Sequence, residues 1–375
     1  MRRAVVVAGV MAFGLVPAGA AEAAPRLQVV AKGLDNPRGI VVGKDGTIYV
    51  AEGGNAGKKC VGKGEEKVCA GPTGAVVAIR KGKKKRVLKG FPSTGIPGGS
   101  AGGPQDLAFD RNGRLVMVLS GMSASGRAAL GPGARKLSTL VSLPSRKVRA
   151  DLARYEARHN PDRTPPAMDG LNSNPQSLVA EKDGSVVIAD GGANDLLKVS
   201  KTGKVSLLAL FPTRCAALPP GFPADQAPPP GKCAEGQVPA ESVPTSVVKG
   251  PDGAYYVGEL TGFPFATGNA RVWRVTGNGR KKVVADGFTN IIDLAFDGRG
   301  RLLVLEISHK GLLSGSTAGA LTAVKGGKRK LLIGKGLTGP SGLAVKGGYA
   351  YIVNGGVPGE GGGKAHRGQV LRYRL

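Results

Sequence analysis

One pattern recurs six times along this chain and limits what it can fold into. It is a proline, a short apolar strand, a turn built on Asp-Gly, Asn-Gly or a related pair, and a second apolar strand. The copies are NPRGIVVGKDGTIYVAE (36–52), GPQDLAFDRNGRLVMVL (103–119), NPQSLVAEKDGSVVIAD (174–190), VPTSVVKGPDGAYYVGE (243–259), NIIDLAFDGRGRLLVLE (290–306) and GPSGLAVKGGYAYIVN (339–354). Only the fifth lacks the proline, with Ile291 in its place. A strand, a basic turn and another strand follow most copies: GAVVAIRKGKKKRVLKG (74–90), NDLLKVSKTGKVSLLAL (194–210), ARVWRVTGNGRKKVVADG (270–287) and GALTAVKGGKRKLLIGKG (319–336), with a weaker version at 138–152. Strand-length apolar runs separated by turn residues read as antiparallel strands in tight succession.

Four short strands per unit predict an all-β fold, a six-bladed β-propeller of four-stranded antiparallel blades. The sixth unit has only one further strand, GQVLRYRL (368–375), and the missing outermost strand is supplied by RLQVVAKG (26–33). Pairing these two would close the ring and remove an exposed sheet edge. Residues 24–375 are therefore expected to form one propeller domain. The repeat spacings are 67, 71, 69, 47 and 49 residues, so the first three units carry insertions. These are placed at 53–73, 151–172 and 213–241, all at connections that emerge on one side of the ring, here called the upper face. Within the second, Asp151 can cap a short helix through Leu152, Tyr155 and Arg158 that ends at Asn160-Pro161.

The compartment is read from the first residues. Arg2 and Arg3 precede an apolar run from Ala4 to Val16, and Ala21-Glu22-Ala23 fits a small-residue cleavage site. Residues 1–23 are thus expected to be a signal peptide and the protein to be secreted, extracellular or held at the cell surface. No other segment is long and apolar enough for a transmembrane span. Cys60 with Cys69 and Cys215 with Cys233 are favoured as two local disulfides among three possible connectivities. Closing such loops stabilises by roughly 2–3 kcal/mol each. Zinc is disfavoured, because no C-x-x-C occurs and His159, His309 and His366 lack ligand spacing.

Three strings, NSNPQSLV…GGANDLLKV (172–199), VPTSVVKGPDGAYYVGELTGFPFATGNARVWRV (243–275) and GFTNIIDLAFD (287–297), resemble the secreted ScyD/ScyE-type propeller proteins associated with scytonemin gene clusters. The likeness runs through the chain after residue 23. More loosely, IYVAEGGN (48–55) and VVIADGGAND (186–195) are similar to NHL repeats. The resemblance implies a six-bladed secreted propeller and carries over no catalytic residues.

Two positions recur near the upper pore. At the end of the second strand stand Glu52, Leu119, Asp190, Glu259, Glu306 and Asn354. Four are acidic in a chain of net charge +27, so Glu52, Asp190, Glu259 and Glu306 are candidate ligands for Ca²⁺ or another divalent cation. Their alternative use is to satisfy backbone N–H groups at the strand end. After the proline come Arg38, Gln105, Gln176, Thr245, Ile292 and Ser341. Of these Arg38, Gln105 and Gln176, with Asn194, His309 and Asn354, are candidates for holding a small molecule. Catalytic signatures are scarce: GGSAG (98–102) has no strand before it or helix after it, and GEGGGK (359–364) lacks P-loop spacing.

The third-to-fourth turns are basic and contain no acid. Lys83, Lys84, Lys85, Arg86, Arg280, Lys281, Lys282, Lys328, Arg329 and Lys330 are candidates for binding a polyanion, together with Arg146, Lys147, Lys201 and Lys204. Aromatic residues are only 5%, which with secretion argues against nucleic acid. The expected function is a monomeric binding or accessory protein, with a ligand or cation at the upper pore and a basic lower rim for anionic cell-wall polymers. The alternative is a divalent-metal-dependent hydrolase or lactonase at the upper pore, with His309 as a proton carrier.

Overall fold

Six blades, each built on four antiparallel strands and the first extended by two short ones, stand around a central channel in the computed structural model, which describes residues 27–64, 67–96, 99–163, 171–356 and 367–375. The innermost strand of each blade begins at or just after the repeat's proline position: Pro37–Val42, Pro104–Phe109, Pro175–Ala180, Pro244–Lys249, Ile291–Phe296 and Gly342–Lys346. Neighbouring innermost strands touch all the way round. Proline is tolerated at this first position because its missing N–H is not needed there. The second strands are Ile48–Glu52, Leu115–Leu119, Val186–Asp190, Tyr255–Glu259, Leu302–Glu306 and Tyr349–Asn354. They are almost wholly buried because they lie inside their sheets with a blade against each face. That double burial is why they read as continuous apolar runs rather than alternating ones.

The ring closes as the repeat count requires. Strand Gln28–Leu34 runs antiparallel beside Gly368–Arg374, with Gln28 opposite Arg372 and Leu34 opposite Gly368. Among the described residues, six principal apolar clusters hold the fold, each shared by two adjacent blades. The cluster at the closure joins Ala31 and Leu34 to Val353 and Val370 of blade six and to Ile40, Ile48, Val50, Val77 and Ile79 of blade one. No single core exists to lose; each interface is a separate wedge.

The insertions decorate the upper face. In blade one the third and fourth strands lengthen to Val68–Arg80 and Lys83–Gly95, and a short strand, Lys59–Val61, folds back on them. Cys60 and Cys69 are directly opposite there and form a disulfide. Cys215 and Cys233 form the second, beside a hairpin of Arg214–Ala217 and Gln237–Ala240. The helix Leu152–His159 starts at Asp151, whose carboxylate accepts the Arg154 N–H at 3.0 Å, and stops at a left-handed Asn160. A helix that the sequence pattern does not announce, Ala124–Leu130, lies between the second and third strands of blade two. Its sequence, ASGRAAL, has too little apolar periodicity to stand out. It touches both the blade-one arm and the helix Leu152–His159, so these insertions meet. The expected signal segment, residues 164–170 of the second insertion, Gly98, the glycine-rich 359–364 string and His366 fall outside the described residues. Among the described residues, no helix is long and apolar enough to cross a membrane.

Leu34 is fully buried at the closure, whereas Val29 on the same strand is 50% exposed. Leu34→Ala is expected to cost about 2–5 kcal/mol in denaturant unfolding. Val29→Ala should stay within about 0.5 kcal/mol of the parent. Equal effects from the two substitutions would show that the strand does not seal the ring.

Candidate functional site

The acids at the ends of the second strands turn back over their own blades. Glu52 accepts the Asp35 N–H at 2.9 Å, and Glu306 accepts the Thr289 N–H at 2.6 Å. Asp190 accepts the Asn174 N–H and the Ser173 hydroxyl, both at 2.6 Å. Glu259 accepts the Ser242 hydroxyl at 2.8 Å and the indole N–H of Trp273. Asn354 does the same for the Thr338 N–H at 2.7 Å. In blade two the residue aligned with them is Leu119, and its neighbour Ser120 takes over, accepting the Gly103 N–H at 2.9 Å. All six therefore lock the lead-in turn of their own innermost strand.

The candidate metal ligands Glu52, Asp190, Glu259 and Glu306 are thus each turned to the alternative use, accepting donors of their own blade. Their oxygens are engaged locally, and Arg86 and Arg214 neutralise Glu52 and Glu259 at 2.5 and 2.7 Å. Among the described residues, no three acidic, cysteine or histidine side chains are grouped to hold a metal ion. Burial still pushes the Asp190 carboxyl up to about 6 against its four hydrogen-bond donors. Burial also raises Glu259 against the pull of Arg214.

The residues after the proline do reach the channel, together with the residues that follow them. A one-residue bulge interrupts the pairing of the innermost and second strands at this point in blades one to five. A bulge re-aims side chains. Gln105 with Asp106, Gln176 with Ser177, and Ile292 with Asp293 consequently line the channel as consecutive pairs, beside Gly39, Thr245 and Ser341. Strict strand alternation hides this second ring, which the sequence reading omits. The remaining space is a cavity of about 10 Å³, room for roughly one water molecule. Gln105 donates to Gln176 across it at 2.8 Å. Arg38 donates to the Ser100 hydroxyl and the Ala101 carbonyl. Asn194 links Asp162 to the Val243 N–H, and His309 Nδ1 lies 2.7 Å from the Ala318 carbonyl. Of the six ligand candidates, Gln105 and Gln176 thus meet in the channel, while Arg38, Asn194, His309 and Asn354 are spread over separate local contacts.

The second ring ties blades two to six in succession. Asp106 accepts the Leu178 N–H at 3.0 Å, Ser177 the Val247 N–H at 3.2 Å, Ser246 the Leu294 N–H at 3.0 Å, and Asp293 the Leu343 N–H at 2.6 Å. Burial, reinforced by the charge of Asp293, pushes the Asp106 carboxyl up to about 7, and burial takes Asp293 to about 6.

The lower face offers an open site. Between blades two and three lies a cleft of about 340 Å³, walled by the first-to-second and third-to-fourth turns. Arg111, Arg114, Lys147, Arg149 and Lys201 line it with the Ser142 and Thr202 residues, against only two acids. Both acids are occupied. Asp110 holds the Asn112 and Arg114 N–H groups and pairs with the Arg114 guanidinium at 3.2 Å. Asp183 takes the hydroxyl and N–H of Ser185, which keep it below the usual carboxylate range. Arg111, Lys147 and Lys201 are exposed. Elsewhere on the rim Lys83, Lys84, Lys85, Arg280, Lys281, Lys282, Lys328 and Lys330 are exposed as expected. Arg86 is not part of it, because its guanidinium turns in to Glu52 and Asp35. Arg329 lies over the Phe288 ring and 3.7 Å from Asp286, so it is half committed.

No protein-family model and no curated protein matches the chain. Solved structures do match its fold, and these neighbours are propellers of the NHL and SMP-30 type. A gluconolactonase from Xanthomonas campestris superimposes with a TM-score of 0.52 at 10% identity, over 94% of this chain and 90% of that one. A protein of unknown function from Bacteroides thetaiotaomicron gives 0.54 at 10% identity, over 94% and 76%. A streptogramin B lyase gives 0.50 at 12% identity, over 94% and 98%. At such identities the likeness shows the fold alone.

Two outcomes follow from the channel ring. Ser177→Ala leaves the Val247 N–H without its acceptor and should cost about 1–3 kcal/mol in unfolding experiments. Asp106 holds its proton more tightly folded than unfolded, so its contribution is fully present below about pH 4 and is lost as pH rises through about 7. Asp106→Asn should flatten the fall in unfolding midpoint between those limits; an unchanged slope would contradict the assignment.

Proposed function

We propose that this is a secreted, monomeric binding protein whose lower face holds an anionic polymer of the cell surface. The observation that carries the reading is the cleft between blades two and three, with five cationic side chains against two acids that are already engaged. Its walls are tight turns, and the Arg149 guanidinium donates to the Gly184 carbonyl at 2.7 Å. The exposed lysines of the neighbouring basic turns extend the positive field around the rim. Charge of this kind brings polyanions in by long-range attraction and keeps them by many weak contacts. Two disulfides suit an oxidising destination outside the cytoplasm. The likeness of 172–199, 243–275 and 287–297 to secreted ScyD/ScyE-type proteins fits a secreted propeller.

The rival reading is a divalent-metal-dependent hydrolase or lactonase at the upper pore. It has against it that Glu52, Asp190, Glu259 and Glu306 are each spent on their own blade.

Retention of the purified protein on isolated cell walls should fall steeply with salt, because the screening length shrinks from about 10 Å at 0.1 M to about 3 Å at 1 M. Lys147→Glu with Lys201→Glu should weaken retention at low salt about tenfold, equivalent to roughly 1.4 kcal/mol. The matched pair Lys58→Glu with Lys63→Glu, exposed on the opposite face, should change it far less. Salt-independent retention, or equal losses from both pairs, would end the proposal.

A further inference from the structure

A second set of carboxylates, beside the strand-end Asp190, has no counter-charge. Glu156 belongs to the helix Leu152–His159 and is 1% exposed; Asp195 begins the third strand of blade three and is fully buried. Leu152 and Glu156 are four residues apart and share the helix face turned to the sheet. Leu152 on that face packs with Val186, Ile188 and Leu197 of blade three. Asp195 is paired across the second and third strands with Asp190. None of the four carboxylate oxygens of Glu156 and Asp195 has a hydrogen-bond partner. Asp190 and Asp162 act on both residues as further negative charges.

An unpaired charge in such a place is costly, and a fold normally supplies a partner. This chain has a net charge of +27, and the helix and its following turn carry Arg154, Arg158, His159 and Arg163. All four are exposed. His159 instead stacks on Tyr155. The partner that these oxygens lack is therefore not a side chain of their own element. Oxygen-only donors with no histidine or cysteine suit a hard cation.

We infer that Glu156 and Asp195 bind a divalent cation, calcium in kind, between the helix and blade three, and that the ion clamps the upper-face insertion to the ring. Two carboxylates offer at most four oxygens, and no third acidic ligand is already in place among the described residues. The remaining positions fall to water or backbone carbonyls. Such a site has an affinity on the order of 10⁻⁴–10⁻³ M, that of extracellular calcium modules. The assignment is independent of polymer binding at the lower face.

The test is calcium titration of the purified chain by calorimetry, with thermal unfolding in calcium chloride and in chelator. Calcium should bind once per chain and raise the melting temperature. The double variant Glu156→Gln, Asp195→Asn should bind at least about tenfold more weakly and lose the calcium-dependent shift. In chelator it should melt no lower than the parent, because neutral isosteres remove the buried charge. Lysine substitutions at the lower rim should leave calcium binding unchanged. No calcium heat and no shift in the parent would overturn the site in favour of two protonated carboxyls, and undiminished binding by the double variant would place the ion elsewhere.

Discussion

The fold rests on a relay around the channel in which one blade's side chain accepts the backbone N–H of the next. Asp106, Ser177, Ser246 and Asp293 carry it from blade two to blade six. At the two remaining junctions the corresponding residues are Gly342 and Gly39. There the backbones come too close for any side chain: a Cβ on Gly39 would sit 2.7 Å from the Asp106 Cα, and one on Gly342 2.5 Å from the Arg38 carbonyl oxygen. Four junctions are spaced by polar side chains and two by direct approach. The set fixes the angle between blades, and a closed ring tolerates only angles that add up to a full turn. Each apolar wedge between blades is packed against that requirement.

Much of this was legible in the chain because a propeller repeats its physics. Six copies of one proline-strand-turn-strand unit require six similar sheets, and an odd strand at each end requires a shared one. The cysteine pairs were readable for a similar reason, since short separations in turn-rich segments favour local bridges. What could not be read was where repeated residues point. Glu52, Asp190, Glu259 and Glu306 recur because each lead-in turn leaves a donor that needs an acceptor, and that need repeats as faithfully as a binding site would. The bulge before Asp106 and Asp293 has no signature in residue type, so alternation assigns those aspartates to the wrong side. The cleft between blades two and three is assembled from turns spread between Asp110 and Gly203, and only their basic composition was visible beforehand.

The charges are sorted by what each sign can do. Most acids are spent on structure: they hold turn amides on the lower face, as Asp45, Asp110, Asp183, Asp252 and Asp297 do, or lock lead-in turns on the upper one. Lysines are left free at the rim and along the outermost strands, where they also discourage edge-to-edge pairing with another sheet. The result is a protein whose acids are largely engaged in local hydrogen bonds while many of its lysines stand free at the rim.

The pairing of Gln28–Leu34 with Gly368–Arg374 has a mechanical consequence. Gln28 lies opposite Arg372, so the outer ends of both strands leave the sheet at the same side. A load applied to those two ends would act across the seam and part its hydrogen bonds one after another, like peeling tape, instead of shearing them together. Neither cystine bridges that seam, since each closes a loop of 9 or 18 residues within one insertion. A ring held by six apolar wedges would therefore yield to tension at one place, and tethering it by a single end would spare it that stress.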